Sequence, residues 1–107
     1  MKIILDECLP KRLTKIIPFG HVFTVPQICL AGFSDTELLN ALNEKKIDVF
    51  ITIDNNIEYQ QKFQNRLFGA IIIRAVSNRF QDLLPLEPEL INAIRTFNNG
   101  TIIRIPD

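Results

Sequence analysis

Short apolar runs alternate along the chain with segments in which apolar residues recur at helical spacing. This alternation is typical of parallel strands joined by crossover helices, and it predicts an α/β fold. Five of the runs are rich in β-branched residues and apolar on both faces, as strands covered by helices on both sides must be. The predicted strands are Ile3–Leu5, Val22–Val25, Val49–Ile53, Ala70–Ile73 and Ile102–Ile105. The third and fourth are expected to be central.

The segments between these runs predict helices. The first is indicated by four apolar residues at helical spacing beside Pro10, namely Leu9, Leu13, Ile16 and Ile17. The second begins with a capping box, in which Ser34 caps the helix and Glu37 reaches back to it. A short helix is expected over Ile57–Phe63. A longer one begins near Pro88 and has its apolar face at Leu86, Leu90, Ile94 and Phe97.

Length and composition indicate one folded domain. A chain of 107 residues has room for one hydrophobic core and is too short for two, so we predict a single domain over residues 1–107. Hydrophobic residues make up 47% and charged residues 22%, which excludes a disordered chain.

The charge balance and the N-terminal sequence limit the kinds of partner that the protein is expected to bind. Twelve basic residues balance twelve acidic ones, so nucleic acid could bind only through a local patch. The first apolar run is interrupted by Asp6 and Glu7 too soon for a signal peptide or a membrane span. We therefore expect a cytoplasmic protein without membrane association. The two cysteines form no pair suited to zinc, and we expect reduced thiols.

Acidic residues follow two of the predicted strands. Asp6 and Glu7 end the first strand, Asp54 follows the third, and Asp35 and Glu37 open the capped helix. Ligands of open parallel sheets bind beyond the carboxyl ends of the strands, so these acids are expected to meet at one edge. Clustered carboxylates stay ionised together only beside a cation, which predicts Mg²⁺ or Mn²⁺.

Hydrolysis of a phosphodiester by a metal-activated water is the chemistry that such a site serves best. The chain has no GxSxG elbow, no phosphate-cradling GxxxxGK[ST] and no cysteine beside a plausible base. Cys8 lies next to the acidic pair, which would raise its pKa, so we assign it a packing role. The candidate catalytic residues are Asp6, Glu7, Asp35, Glu37 and Asp54.

Each of these residues also has a structural interpretation. Glu37 needs no metal to serve as a cap, Asp35 favours the helix dipole, and aspartates such as Asp6 and Asp54 often end strands. A phosphate-binding rim is predicted at Lys11, Arg12, Arg79 and Gln60. Solvated faces and local backbone hydrogen bonds are the alternative for these four.

Stretches along nearly the whole chain carry a family resemblance in combination. They are Leu5-Asp6-Glu7-Cys8-Leu9-Pro10, Gly20-His21-Val22, Gly32-Phe33-Ser34-Asp35-Thr36-Glu37-Leu38-Leu39, Ile51-Thr52-Ile53-Asp54-Asn55-Asn56, Tyr59-Gln60-Gln61, Ser77-Asn78-Arg79 and Leu83-Leu84-Pro85-Leu86. In this combination the chain resembles a small bacterial PIN-like family of the PIN nuclease superfamily, related to VapC-type toxins.

The resemblance implies a Rossmann-like three-layer α/β/α sandwich with a mostly parallel sheet of about five strands. It also implies an RNA substrate, a toxin role beside a cognate antitoxin protein, and a homodimer. Asp6, Asp35 and Asp54 match the family's metal ligands. Many relatives have an aspartate at the position of Asn56, and an amide there should bind the metal more weakly.

Two other functions compete with the ribonuclease. A receiver-like phosphoacceptor also has an acidic pair after its first strand and an aspartate after its third, but it needs a lysine closing the last strand. Here that strand reads Thr101-Ile102-Ile103-Arg104-Ile105-Pro106-Asp107, without a lysine. The other alternative is a catalytically degenerate PIN-like module that binds a partner protein, which Asn56 and the neutral net charge favour.

Overall fold

The structure of the protein is a computed structural model that describes residues 1–54, 57 and 63–106. Its strands are β1 (Lys2–Leu5), β2 (His21–Thr24), β3 (Val49–Thr52), β4 (Gly69–Ile73) and β5 (Ile102–Ile105). Its α-helices are α1 (Asp35–Glu44), α2 (Phe80–Leu83) and α3 (Glu87–Thr96). Short 3₁₀ turns form at Lys11–Lys15, Pro26–Ile28, Phe63–Asn65 and Leu84–Leu86.

The five strands form one sheet in the order β2-β1-β3-β4-β5. Every neighbouring pair is parallel, so the predicted parallel sheet is confirmed, and β3 is its central strand. The chain passes from β1 outward to β2 and then returns to place β3 on the other side of β1. The junction between β1 and β3 is therefore the point where the strand order reverses, and open α/β sheets bind their ligands there.

Alternate residues of the strands face two separate hydrophobic layers, as the two-residue period of a strand requires. On β1, Ile3 and Leu5 pack into the layer that contains α3, whereas Ile4 packs into the layer that contains α1. On β3, Ile51 faces the α3 layer and Phe50 the α1 layer. Helices thus cover both faces of the sheet, and the expected Rossmann-like sandwich is confirmed.

The predicted first helix is a 3₁₀ segment of five residues, Lys11–Lys15, which begins after Pro10. Pro18 lies close behind it, and a proline disfavours helical backbone in the residue that precedes it. The space between the two prolines is too short for a regular amphipathic α-helix. The apolar face itself is correct, since Leu13 and Ile17 are buried.

The other helices follow local signals. The capping box at Ser34 begins α1, and α3 begins at Glu87, one residue before Pro88. The four-residue helix α2 was not predicted, because so short a segment shows no periodicity. Most of the expected helix over Ile57–Phe63 lies outside the described residues. Within the described ranges, no helix is long and apolar enough to cross a membrane.

Candidate acidic site at the junction of β1 and β3

The register of β1 against β3 brings Asp6 and Thr52 side by side. Leu5 pairs with Ile51, and the next residue of each strand follows at the carboxyl edge. The backbone N–H of Asp6 continues the ladder by donating to the carbonyl of Ile51 at 2.9 Å. By the alternation of the strands, Asp6 and Thr52 both lie on the side of the sheet that faces α1.

A buried hydroxyl joins the two candidate acids. Thr52 Oγ1 donates to Asp6 Oδ2 at 2.6 Å and accepts from the backbone N–H of Asp54 at 3.0 Å. Thr52 is 0% exposed, so its hydroxyl depends on partners within the protein, which also include the thiol of Cys8 at 3.8 Å. The backbone of Asp54 is thus held close to the carboxylate of Asp6.

Three donors orient the carboxylate of Asp6. The backbone N–H of Glu7 donates to Oδ1 at 2.8 Å, while Thr52 and the thiol of Cys8 donate to Oδ2, the latter at 3.5 Å. A carboxylate has about four lone-pair directions, so one on Oδ1 remains for a cation. The local structure therefore restrains the Asp6 carboxylate and leaves part of Oδ1 without a hydrogen-bond donor among these three.

Asp35 lies in the first turn of α1, within electrostatic reach of both other aspartates. Burial raises the pKa of the Asp35 carboxyl, and the negative charges of Asp54 and Asp6 raise it further. The charges of Asp6 and Asp54 thus act on Asp35 from distant segments of the chain. Such repulsion is relieved by a bound cation or by a proton.

The donor set suits a hard divalent cation, because it consists of carboxylate oxygens. Among residues 1–54, 57 and 63–106, however, no group of three or more acidic, histidine or cysteine side chains is arranged so that it could hold a metal ion. Asn56, the fourth predicted ligand, lies outside the described residues, as does Gln60. A cation at Asp6, Asp35 and Asp54 would have to draw these side chains together.

The two glutamates have local partners. Glu37 Oε1 accepts from the backbone N–H of Ser34 at 3.1 Å, and Ser34 Oγ accepts from the backbone N–H of Glu37 at 3.3 Å. Hydrogen bonds with the Ser34 side chain and backbone lower the pKa of Glu37. The structure therefore gives Glu37 the role of a helix cap. Glu7 is exposed, and its Oε1 accepts a long hydrogen bond of 3.5 Å from the backbone N–H of Gly32.

Cys8 is a half-buried hydrogen-bond donor. Burial raises the pKa of the Cys8 thiol, and the charge of Asp6 adds to the rise. The predicted direction is confirmed, although burial is a larger cause than the acidic neighbour. A thiol held in its protonated form is a weak nucleophile and supports the carboxylate that it contacts.

The predicted basic rim divides into residues with different surroundings. The guanidinium of Arg12 lies 4.3 Å from the centre of the Phe80 ring, and Arg79 Nε lies 3.3 Å from Asp82 Oδ2. Both groups therefore have partners of their own. Lys11 is exposed and lines a groove with Glu7 at the ends of β1 and β2.

Two contributors to the site were not found from the sequence. The sequence predicts Thr52 only as a strand residue, and the hydrogen bonds of its hydroxyl depend on strand register, which has no local signal. Asn78, in the loop after β4, donates from Nδ2 to the carbonyl of Cys8 at 2.9 Å across seventy residues of chain. This bond ties that loop to the segment that carries Asp6.

Comparison of the chain with models of protein families, with curated proteins and with solved structures gave no significant match. The resemblance to the PIN-like family therefore stays a prediction, carried by the residues quoted for it. The fold is shared by many functions, so the function has to be argued from the site.

Proposed function

We propose that this protein is a ribonuclease dependent on Mg²⁺ or Mn²⁺, which hydrolyses a phosphodiester bond with an activated water. The observation that carries the proposal is the link from the Asp6 carboxylate through Thr52 to the backbone of Asp54, at the point where the strand order reverses and where the charges of both aspartates act on Asp35. A sheet edge with several coupled carboxylates and a polar scaffold beneath them suits a cation-assisted hydrolase.

In this proposal the three aspartates have one shared task. Asp6, Asp35 and Asp54 would hold the cation, with Asp6 fixed in advance by its three donors. When bound, the cation would supply positive charge to the scissile phosphate and acidify the attacking water. Glu37 would keep α1 capped and so keep Asp35 in place. No side-chain nucleophile is needed, which agrees with the protonated thiol of Cys8.

The wider biological role rests on the resemblance alone. By that resemblance the protein would be the toxin of a bacterial toxin–antitoxin pair, bind a cognate antitoxin protein and form a homodimer. Coexpression with a small protein encoded by a neighbouring gene, followed by a growth assay, tests this role. Growth arrest that the neighbour relieves would support it, and growth unaffected by overexpression of an active ribonuclease would contradict it.

Manganese binding is the first test of the site. Calorimetry should detect Mn²⁺ binding to the wild type and at least a tenfold loss of affinity in Asp54→Asn. Glu44→Gln is the matched control, because Glu44 is an exposed acid at the far end of α1. Thermal melts show whether each variant is folded. Absence of binding to a folded wild-type protein would contradict the proposal.

RNA cleavage is the second test. The wild type should cleave a single-stranded RNA in the presence of Mn²⁺ and stop when the metal is chelated. Asp6→Asn should abolish cleavage, whereas Glu44→Gln should cleave at the wild-type rate. Cleavage that survives both chelation and Asp6→Asn would assign the activity to a contaminant and contradict the proposal.

A non-catalytic module that binds a partner protein is the second candidate. The observation that favours it is that the described acidic side chains do not form a ready metal-binding group. This candidate predicts a folded wild type that fails to bind Mn²⁺ at millimolar concentration. The same calorimetric titration therefore separates the two candidates.

A receiver-like phosphoacceptor is favoured by one observation, the strand order β2-β1-β3-β4-β5, which receivers share. Against this candidate, the chain lacks the lysine that closes the last strand of a receiver, because Ile105 is followed by Pro106 and Asp107. Incubation with acetyl phosphate separates this candidate from the ribonuclease, because only a receiver would acquire a phosphoryl group on Asp54.

A further inference from the structure

The loop after β4 reaches the segment that carries a candidate ligand. Asn78 Nδ2 donates to the carbonyl of Cys8 at 2.9 Å, although 70 residues of chain separate the two. Cys8 follows Asp6 by two residues. The proposed function gives Asn78 no task, so the contact calls for an account of what it does at the site.

The segment that Asn78 contacts has already left the sheet. β1 ends one residue before Asp6, and the following residues form a turn, which the backbone N–H of Leu9 closes by donating to the carbonyl of Asp6 at 3.0 Å. We call residues 6–9 the Asp6 turn. A turn beyond the end of a strand has no ladder to fix it and depends on contacts of its own. The bond from Asn78 is one of these contacts.

Cys8 connects this bond to the carboxylate. The thiol of Cys8 donates to Asp6 Oδ2 at 3.5 Å and lies 3.8 Å from Thr52 Oγ1. The carbonyl of the same residue accepts the bond from Asn78. Cys8 thus contacts the loop after β4 with its backbone and the candidate ligand with its side chain. A shift of its backbone would therefore displace one of the donors of Asp6.

The residues on both sides of Asn78 are tied to Asp82. Ser77 Oγ donates to Asp82 Oδ2 at 2.5 Å, and Arg79 Nε donates to the same oxygen at 3.3 Å. The backbone N–H of Arg79 also donates to Ser77 Oγ at 3.1 Å. The bond from Ser77 is the main cause that lowers the pKa of Asp82, and the charge of Arg79 adds to it. These contacts limit the directions in which the Asn78 amide can point.

Asp82 belongs to α2, which has contacts with the chain just beyond the Asp6 turn. Leu83 is buried in the hydrophobic layer that also contains Leu9. The ring of Phe80 lies 4.3 Å from the guanidinium of Arg12. The contacts between Asp82 and the loop therefore start from a helix that is packed into the core.

We infer that Asn78 is a positioning residue of the acidic site. It holds the Asp6 turn through the carbonyl of Cys8, while Ser77 and Asp82 hold Asn78 in the orientation that this bond requires. The inference rests on the proposed function, in which Asp6 binds the cation. It adds a support for that ligand from the loop after β4, which no candidate acid occupies.

Hydrogen exchange tests the inference without any metal. The backbone N–H groups of Glu7 and Leu9 both donate to Asp6, the first to its carboxylate and the second to its carbonyl. Their protection therefore reports on the Asp6 turn. Asn78→Ala should lower the protection of both amides about fivefold, the factor that corresponds to the loss of one hydrogen bond. Nuclear magnetic resonance on isotope-labelled protein follows each amide, and thermal melts show that the variant is folded.

Asn43→Ala is the matched control. Asn43 Oδ1 accepts from the backbone N–H of Leu67 at 3.0 Å, so this variant also removes one bond between an asparagine side chain and a distant backbone group. Asn43 lies near the end of α1 that is farther from Asp35. Asn43→Ala should lower the protection of the Leu67 amide and leave the protection of Glu7 and Leu9 unchanged.

Ser77 provides a conservative pair of variants. Ser77→Ala removes the donor to Asp82 and should lower the protection of the Asp6 turn, whereas Ser77→Thr keeps a hydroxyl and should restore it. Calorimetry should show about fivefold weaker Mn²⁺ binding in Asn78→Ala and Ser77→Ala. Asn43→Ala and Ser77→Thr should keep the wild-type affinity. A general loss of stability would not separate the variants in this way.

The inference is overturned if Asn78→Ala leaves the Glu7 and Leu9 amides as protected as in the wild type, or if Asn43→Ala affects them equally. A Ser77→Thr variant that behaves like Ser77→Ala would overturn it too, as would unchanged Mn²⁺ affinity in Asn78→Ala. Failure of the proposed function looks different. In that case the wild type does not bind Mn²⁺, while exchange at Glu7 and Leu9 still responds to Asn78→Ala and not to Asn43→Ala.

Discussion

Thr52 donates a hydrogen bond of 2.6 Å to Asp6 across the junction of β1 and β3, although 46 residues of chain separate them. The same oxygen accepts from the backbone N–H of Asp54. One uncharged side chain therefore links the carboxylate of Asp6 to the backbone of Asp54. Thr52 is a positioning residue in the proposed enzyme, since it acts through groups that would hold the cation.

Replacing Thr52 distinguishes the effect of its hydrogen bonds from the effect of its packing. Thr52→Val keeps the shape but leaves the N–H of Asp54 without its acceptor and removes a donor from Asp6. We expect a loss of about 1–3 kcal/mol in the free energy of unfolding, measured by urea denaturation. Mn²⁺ affinity, measured by calorimetry below the unfolding transition, should fall about tenfold. Thr52→Ser, which restores the hydroxyl, should recover most of the affinity, and failure to do so would contradict the positioning role.

The capping box gives an opposite expectation for Glu37. Glu37→Gln retains an oxygen that accepts from Ser34, so helix α1 should keep its cap and the protein its Mn²⁺ affinity. Ser34→Ala removes the other half of the box and should cost about 1 kcal/mol of stability. Thermal melts and calorimetry measure the two effects. A large loss of Mn²⁺ affinity in Glu37→Gln, with unchanged melting, would make Glu37 a ligand.

The raised pKa of Asp35 gives a dependence of stability on pH. The folded protein binds this proton more tightly than the unfolded chain, whose value is near 3.8. Stability contributed by the protonated carboxyl is therefore complete below that value and is lost as pH rises through the raised folded pKa. In Asp35→Asn this loss should be absent, so the variant should gain stability relative to wild type as pH increases. Urea denaturation at several pH values measures the difference, and a parallel pair of profiles would contradict it.

Metal binding at the same residue should be linked to protons. Below the raised pKa of Asp35 Mn²⁺ has to displace a proton from the carboxyl, so affinity should fall as pH is lowered through that pKa. Calorimetry across that pH range, in buffers of different ionisation enthalpy, should show proton release on binding to the wild type. Proton release should decrease in Asp35→Asn. Equal release by both proteins would remove Asp35 from the ligand set.

Two neighbouring basic residues are expected to differ. The guanidinium of Arg12 stacks on Phe80, so Arg12→Ala should lower stability by ~0.5–1 kcal/mol and leave RNA affinity nearly unchanged. Lys11→Ala should weaken RNA binding and leave stability nearly unchanged. Urea denaturation and fluorescence anisotropy of labelled RNA, on the same two variants, measure both properties. A larger effect of Arg12→Ala on RNA affinity than of Lys11→Ala would return Arg12 to the substrate rim.

The sequence predicted those features that depend on neighbouring residues. The box formed by Ser34 and Glu37 is local, and it was confirmed, as were the five apolar strands, each to within one residue of its bounds. Which strands become neighbours in the sheet does not depend on nearby residues. The placement of Thr52 against Asp6 depends on β3 returning beside β1, and no residue in either strand signals that return.

The other predictions that the structure does not confirm have different physical reasons. The segment after Pro10 buries the predicted face, but the prolines around it limit it to a 3₁₀ turn. Arg12 was assigned to a phosphate rim because the Phe80 ring that it covers lies far along the chain. Asn56 and Gln60 fall outside the described residues, so their assignments as ligand and substrate contact stay predictions.

Because Asp6 follows β1 and Asp54 follows β3, the acidic site can form only when these two strands have paired. β2 and α1 lie between the two strands in the sequence, so the contact of β1 with β3 closes a long loop and forms slowly relative to local turns. During synthesis the acids stay separated until β3 has emerged and docked. A chain that is still incomplete or misregistered would therefore carry Asp6 and Asp54 without the site that they form together.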